Sequence, residues 1–164
     1  MRRLLSVACA LAAISLATQA RAETPEEWVQ LGARVHGGFG SFIPVGIRIG
    51  LDALRRLDAR PREVTVTYYD SDKAPCACIA DGVAIATVAS VGQRTLQIAA
   101  DKAPSGTMAV VVVRSKQSGA AVRYTIADNW VPRLIEMNKA FDPRGRYDAV
   151  MSADGLFDVT AEKP

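Results

Sequence analysis

Apolar residues along the chain follow two different rhythms, and the switches between them outline the elements. In "ETPEEWVQLGARV" Trp28 and Leu31 supply part of an apolar helical face. The helix has a clear start: Thr24 can cap it, Pro25 takes the first helical position, and Glu27 completes an S/T-x-x-E capping box. The glycines of "HGGFGSFIPVG" then break the pattern. A second helix starts between Ser41 and Pro44, where Val45, Ile47, Leu51, Leu54 and Leu57 form a broad stripe flanked by Asp52, Arg55 and Arg56. Gly46 and Gly50 lie four apart on one side of it. Their cost in a helix interior is recovered by close packing, against another helix or a neighbouring subunit.

The rhythm then changes to a period of two. "REVTVTYY" alternates as a half-buried strand does, and "KAP" breaks it. From Cys78 to about Ala89, "CIADGVAIATVA" is almost wholly small or branched, and its length favours a buried helix. "QRTLQIA" is a short strand candidate, while "GTMAVVVVR" and "AAVRYTI" read as a hairpin across "SKQSG". "DNWVPRLIEMNKAF" makes the last clear helix, capped by Asp128 or Asn129, with Trp130, Leu134 and Phe141 able to share a face. "DPRGRYDAV" reads as a turn-rich tail, and "SADGLFDVTAEKP" as a short strand or a loosely held end. Hairpin strands with intervening helices predict an α+β fold, with an antiparallel or mixed β-sheet packed against helices.

The first residues change how charge is read. "MRR" is basic, "LLSVACALAAISLA" apolar, and "ARA" a small-x-small cleavage signal, so residues 1–22 are expected to be a secretory signal peptide. The apolar run is shorter than the roughly 20 residues that span a bilayer, so no stable membrane insertion is expected after cleavage. The expected product is a secreted or periplasmic protein with one domain over residues 23–164. Removing Arg2, Arg3 and Arg21 leaves 17 basic residues against the 17 acidic ones and cancels the formal charge of +3. A balanced chain offers no broad surface for nucleic acid or anionic lipid. No nucleotide cofactor is indicated, since the single glycine turn of "ASVGQRTL" is not a phosphate loop.

Candidate chemistry converges on two short stretches. His36 is the only histidine, set in the glycine-rich joint, where it can ligate a metal, act as acid or base, or satisfy local hydrogen bonds. Of the three cysteines, Cys76 and Cys78 lie outside the leader. They offer soft sulfur ligands, with thiolate character favoured at a helix N-terminus, or they pack as small thiols where the turn meets the helix. Extended neighbours at i and i+2 point apart, so a bond between them requires a turn. Asp70, Asp72 and Asp81 bring carboxylates close in sequence. His36, Cys78 and a carboxylate would make a three-ligand site with an open position. Arg48 and Arg94 are candidates for contacting an anion, with salt bridging as the alternative. Tyr68, Tyr69 and Tyr124 could line a cleft or pack in the sheet.

From about Val35 to Ile126 the chain resembles the FmdE/FwdE-like family of formylmethanofuran dehydrogenase proteins. "HGGFGSFIPVGIRIG" is similar to its H-G-H-x-C-P-G and G-x-R-x-G motifs, with His36, Gly37, Gly46, Arg48 and Gly50 matching. Gly38 and Gly40 stand where a second histidine and a cysteine are expected. "CACIADGVAIATVASVGQRTL" resembles the second signature, with Cys78, Asp81, Thr87, Gly92 and Leu96 in register. Val88 and Ala89 replace that signature's Gly-Cys pair. The resemblance implies a FwdE/GAPDH-domain-like α+β fold, a homodimer, and a divalent metal, zinc foremost, held through His36 and Cys78 with Cys76 or Asp81 nearby. Asp70, Asp72, Arg48, Thr87 and Arg94 are possible cleft or supporting residues.

The resulting expectation is an exported small binding protein holding a metal ion or a metal-containing small ligand at a divergent His/Cys site. The alternatives are a small-molecule enzyme using the same cleft, with His36 as acid or base, and a degenerate structural or interaction protein.

Overall fold

The computed structural model describes residues 22–162. The segment read as a signal peptide therefore lies outside the described residues, apart from Ala22. The elements run α1 (Pro25–His36), α2 (Phe42–Arg56), β1 (Val64–Asp70), α3 (Cys78–Thr87), β2 (Leu96–Ile98), β3 (Thr107–Ser115), β4 (Ala121–Ala127), α4 (Trp130–Ala140), α5 (Pro143–Ser152) and β5 (Asp158–Glu162). The strands form one mixed sheet in the order β2-β1-β3-β4-β5. Its β1–β2 pair is parallel, and every other pair is antiparallel. The fold is α+β. No helix among the described residues is long and apolar enough to cross a membrane.

The sheet's alternation sets its layering. Val64, Val66 and Tyr68 of β1, with Val111 and Val113 of β3 and Val122, Tyr124 and Ile126 of β4, point into one core shared with the helices. Ile43, Ile47, Ile79 and Val83 fill the helix side of that core with no exposed surface.

Glycine decides how α2 meets α3. A Cβ on Gly46 would run into the Ile79 carbonyl oxygen and lie 2.9 Å from the Cα of Gly82. A Cβ on Gly82 would run into the Ile43 carbonyl and lie 2.9 Å from the Ile47 nitrogen. Farther along, one on Gly50 would come within 2.6 Å of the Ala86 methyl. The two backbones touch because all three side chains are absent, so the cost of helical glycine is offset by packing. Of the two partners the sequence left open for Gly46 and Gly50, the fold supplies a helix of the same chain.

The C-terminal region departs from the sequence reading. "DPRGRYDAV" is not a turn-rich tail but helix α5, with Asp142 accepting from the Gly145 N–H at 2.7 Å and Pro143 in the first turn. Asp-Pro is a helix-start signal as well as a turn signal. The helix was obscured because its apolar face amounts to little more than the buried Tyr147 and Val150. "LFDVTAE" completes β5 on the edge of the sheet. Phe141 does not share the Trp130–Leu134 face; it follows α4 in extended backbone and is 45% exposed.

Candidate metal centre

Three chain segments bring the chemistry to one end of α3. The first is α1, whose predicted capping box forms: Thr24 accepts from the Glu27 N–H, and Glu27 accepts from the Thr24 N–H. At the other end Gly37 takes the left-handed conformation, φ 87°, and its N–H bonds the Ala33 carbonyl at 2.9 Å. This stops the helix at His36 and leaves the imidazole at its C-terminus.

The second segment is the loop from β1 to α3. Buried Ser71 donates to the Met108 carbonyl at 2.6 Å, and its Oγ accepts from the Lys73 N–H. The loop is thereby tied to the sheet before it reaches the cysteines. The third segment is α3 itself, whose first turn carries Cys78 and Asp81. Its floor against α2 is the glycine seam.

The three segments meet at His36. Its Nδ1 and the Asp81 Oδ2 are 2.7 Å apart, with side chains 31% and 40% exposed. A partly exposed pair of this kind contributes at most about 1 kcal/mol, so its larger effect is to hold the ring. The pair also joins the C-terminus of α1 to the N-terminus of α3, with the basic and acidic partner each at its favourable helix end. One nitrogen of His36 and the sulfurs of Cys76 and Cys78 all lie within 4.8 Å of one another. Because Asp81 engages Nδ1, the nitrogen left for a ligand is Nε2.

The sulfurs of Cys76 and Cys78 are joined as a disulfide, across a Cα–Cα distance of 5.3 Å. The chain bends from Ala74 to Ala77, supplying the turn that an i, i+2 bond requires. As a disulfide the sulfurs are not metal ligands, because the ligating species is the thiolate. Reduced, they would offer two soft donors beside one imidazole, a set suited to zinc or another borderline-soft ion. A carboxylate on the far nitrogen of a ligating histidine fixes its tautomer and ring orientation, which is the position Asp81 occupies. The donor set fits a divalent metal in the dithiol state, with a coordination position left open.

The remaining sequence candidates lie elsewhere. Asp70 accepts from the Tyr68 hydroxyl at 3.4 Å and, with Asp72, lies near Lys102. Burial, reinforced by Asp70, pushes the Tyr68 hydroxyl up, so it stays protonated and packs in the core. Arg48 donates to the carbonyls of Val150 and Ala153 at 2.9 and 2.6 Å and lies over the Phe157 ring, closing the C-terminus of α5. Thr87 is buried, donating to the Val83 carbonyl and accepting from the Ala89 N–H. Arg94 sits on an exposed turn at φ 55°. Tyr124 donates to Asp52 at 2.8 Å. Although burial would raise the Asp52 carboxyl, hydrogen bonds from Arg56, Tyr124 and Arg55 hold it below its ordinary value.

One supporting residue had no signal in the sequence. Arg146 of α5 donates to the Phe39 carbonyl at 3.0 Å and the Asn138 carbonyl at 2.7 Å, bracing the joint that follows His36. Its role depends on α5 being a helix, which weak amphipathicity concealed. Around Gly38, where the family pattern expects a histidine, an added Cβ would meet nothing within 4 Å. The missing ligand there was not excluded by crowding.

A mixed-sheet α+β protein with a histidine and two cysteines gathered at a helix N-terminus defines the class: a small domain with a candidate metal-ligating centre. The FmdE family, described as "Molybdenum formylmethanofuran dehydrogenase operon", matches residues 35–151. The match covers well over half of the chain, and the protein belongs to that family. It takes in His36, both cysteines and Asp81. No curated protein matches the chain.

Proposed function

We propose that this protein is an exported binding protein that holds a divalent metal ion, zinc foremost, through His36, Cys76 and Cys78, with Asp81 orienting the imidazole. The observation that carries this reading is the convergence of one histidine nitrogen and both sulfurs within 4.8 Å, in a chain with no other histidine. Export is supported by the basic, apolar and small-residue pattern of residues 1–22, and assembly as a homodimer by the family resemblance.

A metal-containing small ligand also has somewhere to lie. A groove of about 520 Å³ runs along α1 and α3, with Leu31, Val35, Ile85 and Val88 among its apolar lining and Arg62 and Gln93 among its polar lining. Val35 is next to His36 in the chain, and Ile85 is one helical turn beyond Asp81. An organic group reaching from the metal along α1 and α3 would meet this apolar surface.

The test is a calorimetric zinc titration of the chain from Glu23 onward, kept reduced. One zinc should bind per chain and, for His36→Ala or Cys78→Ser, affinity should fall by at least roughly 100-fold through loss of a direct ligand. Absence of stoichiometric binding by the reduced protein, or unchanged affinity in both variants, would overturn the reading.

A further inference from the structure

We propose that the Cys76–Cys78 pair is a thiol–disulfide exchange centre for low-molecular-weight thiols, with Cys76 as the attacked sulfur and Cys78 as the leaving thiolate. The proposal uses the same atoms as the metal reading but requires no metal. Its first support is asymmetry of access: Cys78 is only 6% exposed, whereas Cys76 is half-buried in the loop. An incoming thiolate therefore reaches the sulfur of Cys76.

The second support is the destination of the electrons. Cys78 is the first residue of α3, and Ala77 before it provides no side-chain cap. A helix N-terminus favours the anion that forms when Cys78 leaves as a thiolate. The third support is His36, with a nitrogen within 4.8 Å of both sulfurs and Nδ1 held by Asp81. The imidazole therefore borders both sulfurs where the exchange takes place.

The chemistry balances in two displacements. A thiolate attacks Sγ of Cys76; a sulfur–sulfur bond forms between them, and the Cys76–Cys78 bond breaks with its electron pair going to Cys78. A second thiolate attacks the small-molecule sulfur of this mixed disulfide and releases the Cys76 thiolate. The sum converts one protein disulfide and two thiols into one protein dithiol and one small-molecule disulfide. Two electrons pass to the protein, and the thiols' two protons end on the cysteines. Reduction also creates the thiolates that a metal would need, and the reverse exchange removes them. One reaction would then open and close the centre.

The experiment uses the folded, oxidised protein in chelator. It is exposed to reduced glutathione, quenched by alkylation and mapped by mass spectrometry. In wild type the disulfide is reduced and the transient glutathione adduct maps to Cys76. Challenged instead with oxidised glutathione, whose disulfide supplies the leaving thiolate, Cys78→Ser accumulates glutathione on Cys76, while Cys76→Ser, with its thiol buried, reacts at least ~10-fold more slowly.

A disulfide that resists reduced glutathione, or an adduct on Cys78, would each overturn the proposal. Wild-type mapping decides the matter if the cysteine variants fail to fold. Exchange in chelator without zinc binding by the reduced protein would overturn the metal reading alone. Zinc binding by a reduced protein whose disulfide had ignored glutathione would overturn the exchange alone.

Discussion

The two sides of α3 meet their neighbours in opposite ways. Toward α2, the backbones of Gly46 and Gly82 approach so closely that neither position admits a Cβ. Toward α1, the side-chain tips of His36 and Asp81 meet, partly open to water. One side has no freedom and the other has access. The closed side is what allows the open one to be exact: α3 cannot slide on α2, so its first turn presents Cys78 and Asp81 to His36 at a fixed height. The glycine seam is the floor beneath the first turn of α3, where Cys78 and Asp81 sit.

The largest expected effect breaks the closed side. Gly46→Ala or Gly82→Ala should destabilise the protein by about 3 kcal/mol, since a Cβ there meets backbone that has nowhere to move. Gly38→Ala, in the open joint, should stay within about 0.5 kcal/mol of wild type. Chemical denaturation of the three variants checks this, and equal losses at all three positions would contradict the contrast.

Next comes the open side. Asp81→Asn should weaken zinc binding by roughly 10-fold, in the range seen when the partner of a ligating histidine is removed, with little change in stability. Competition with a chromophoric chelator reads the affinity, and thermal melts read the stability. A large fall in stability with unchanged affinity would make Asp81 a structural residue instead.

A smaller effect sits at the far end of the same helix. Val88 closes α3 at φ 55°, a left-handed conformation that a β-branched residue adopts only with strain. Val88→Gly should therefore stabilise the fold by about 1 kcal/mol. A loss of stability in denaturant melts would show that Val88 is retained for its contacts along the groove.

The smallest effect lies away from α3 and serves as its control. The Asp52 carboxyl is held below its ordinary value of 3.8 by Arg56, Tyr124 and Arg55 acting against burial. A depressed folded value means that this stabilisation is complete above the unfolded value and is lost as pH falls through the folded one. Asp52→Asn should flatten the decline in stability below about pH 4 while leaving zinc affinity at neutral pH unchanged. Parallel melts and titrations over pH would detect a departure from either.

Most of the fold was legible in the sequence because it is written in local signals. Thr24, Pro25 and Glu27 state where α1 begins, and the alternation of "VTVTYY" and "AVRYTI" states which faces of β1 and β4 are buried. The α5 helix was not legible, because with two buried residues its pattern is indistinguishable from a polar turn. At the site, residue types and family register singled out His36, Cys78 and Asp81. They could not say that Asp81 takes Nδ1 or that a ring nitrogen lies within 4.8 Å of both sulfurs, since that depends on how α1 and α3 dock across 45 residues of sequence. The bond between Cys76 and Cys78 was hidden for a related reason. An i, i+2 pair is far apart in a strand and is brought together by a bend, and the bend over Ala74 to Ala77 has no signal in the residue types.

Whether His36 and the two sulfurs hold one ion together is read most plainly from the zinc K-edge X-ray absorption spectrum of the reduced, zinc-loaded protein. A shared site gives a first shell with two sulfurs at about 2.3 Å and the outer-shell pattern of one imidazole. The imidazole pattern should then disappear in His36→Ala. A first shell made only of oxygen and nitrogen, unchanged in that variant, would contradict the shared site.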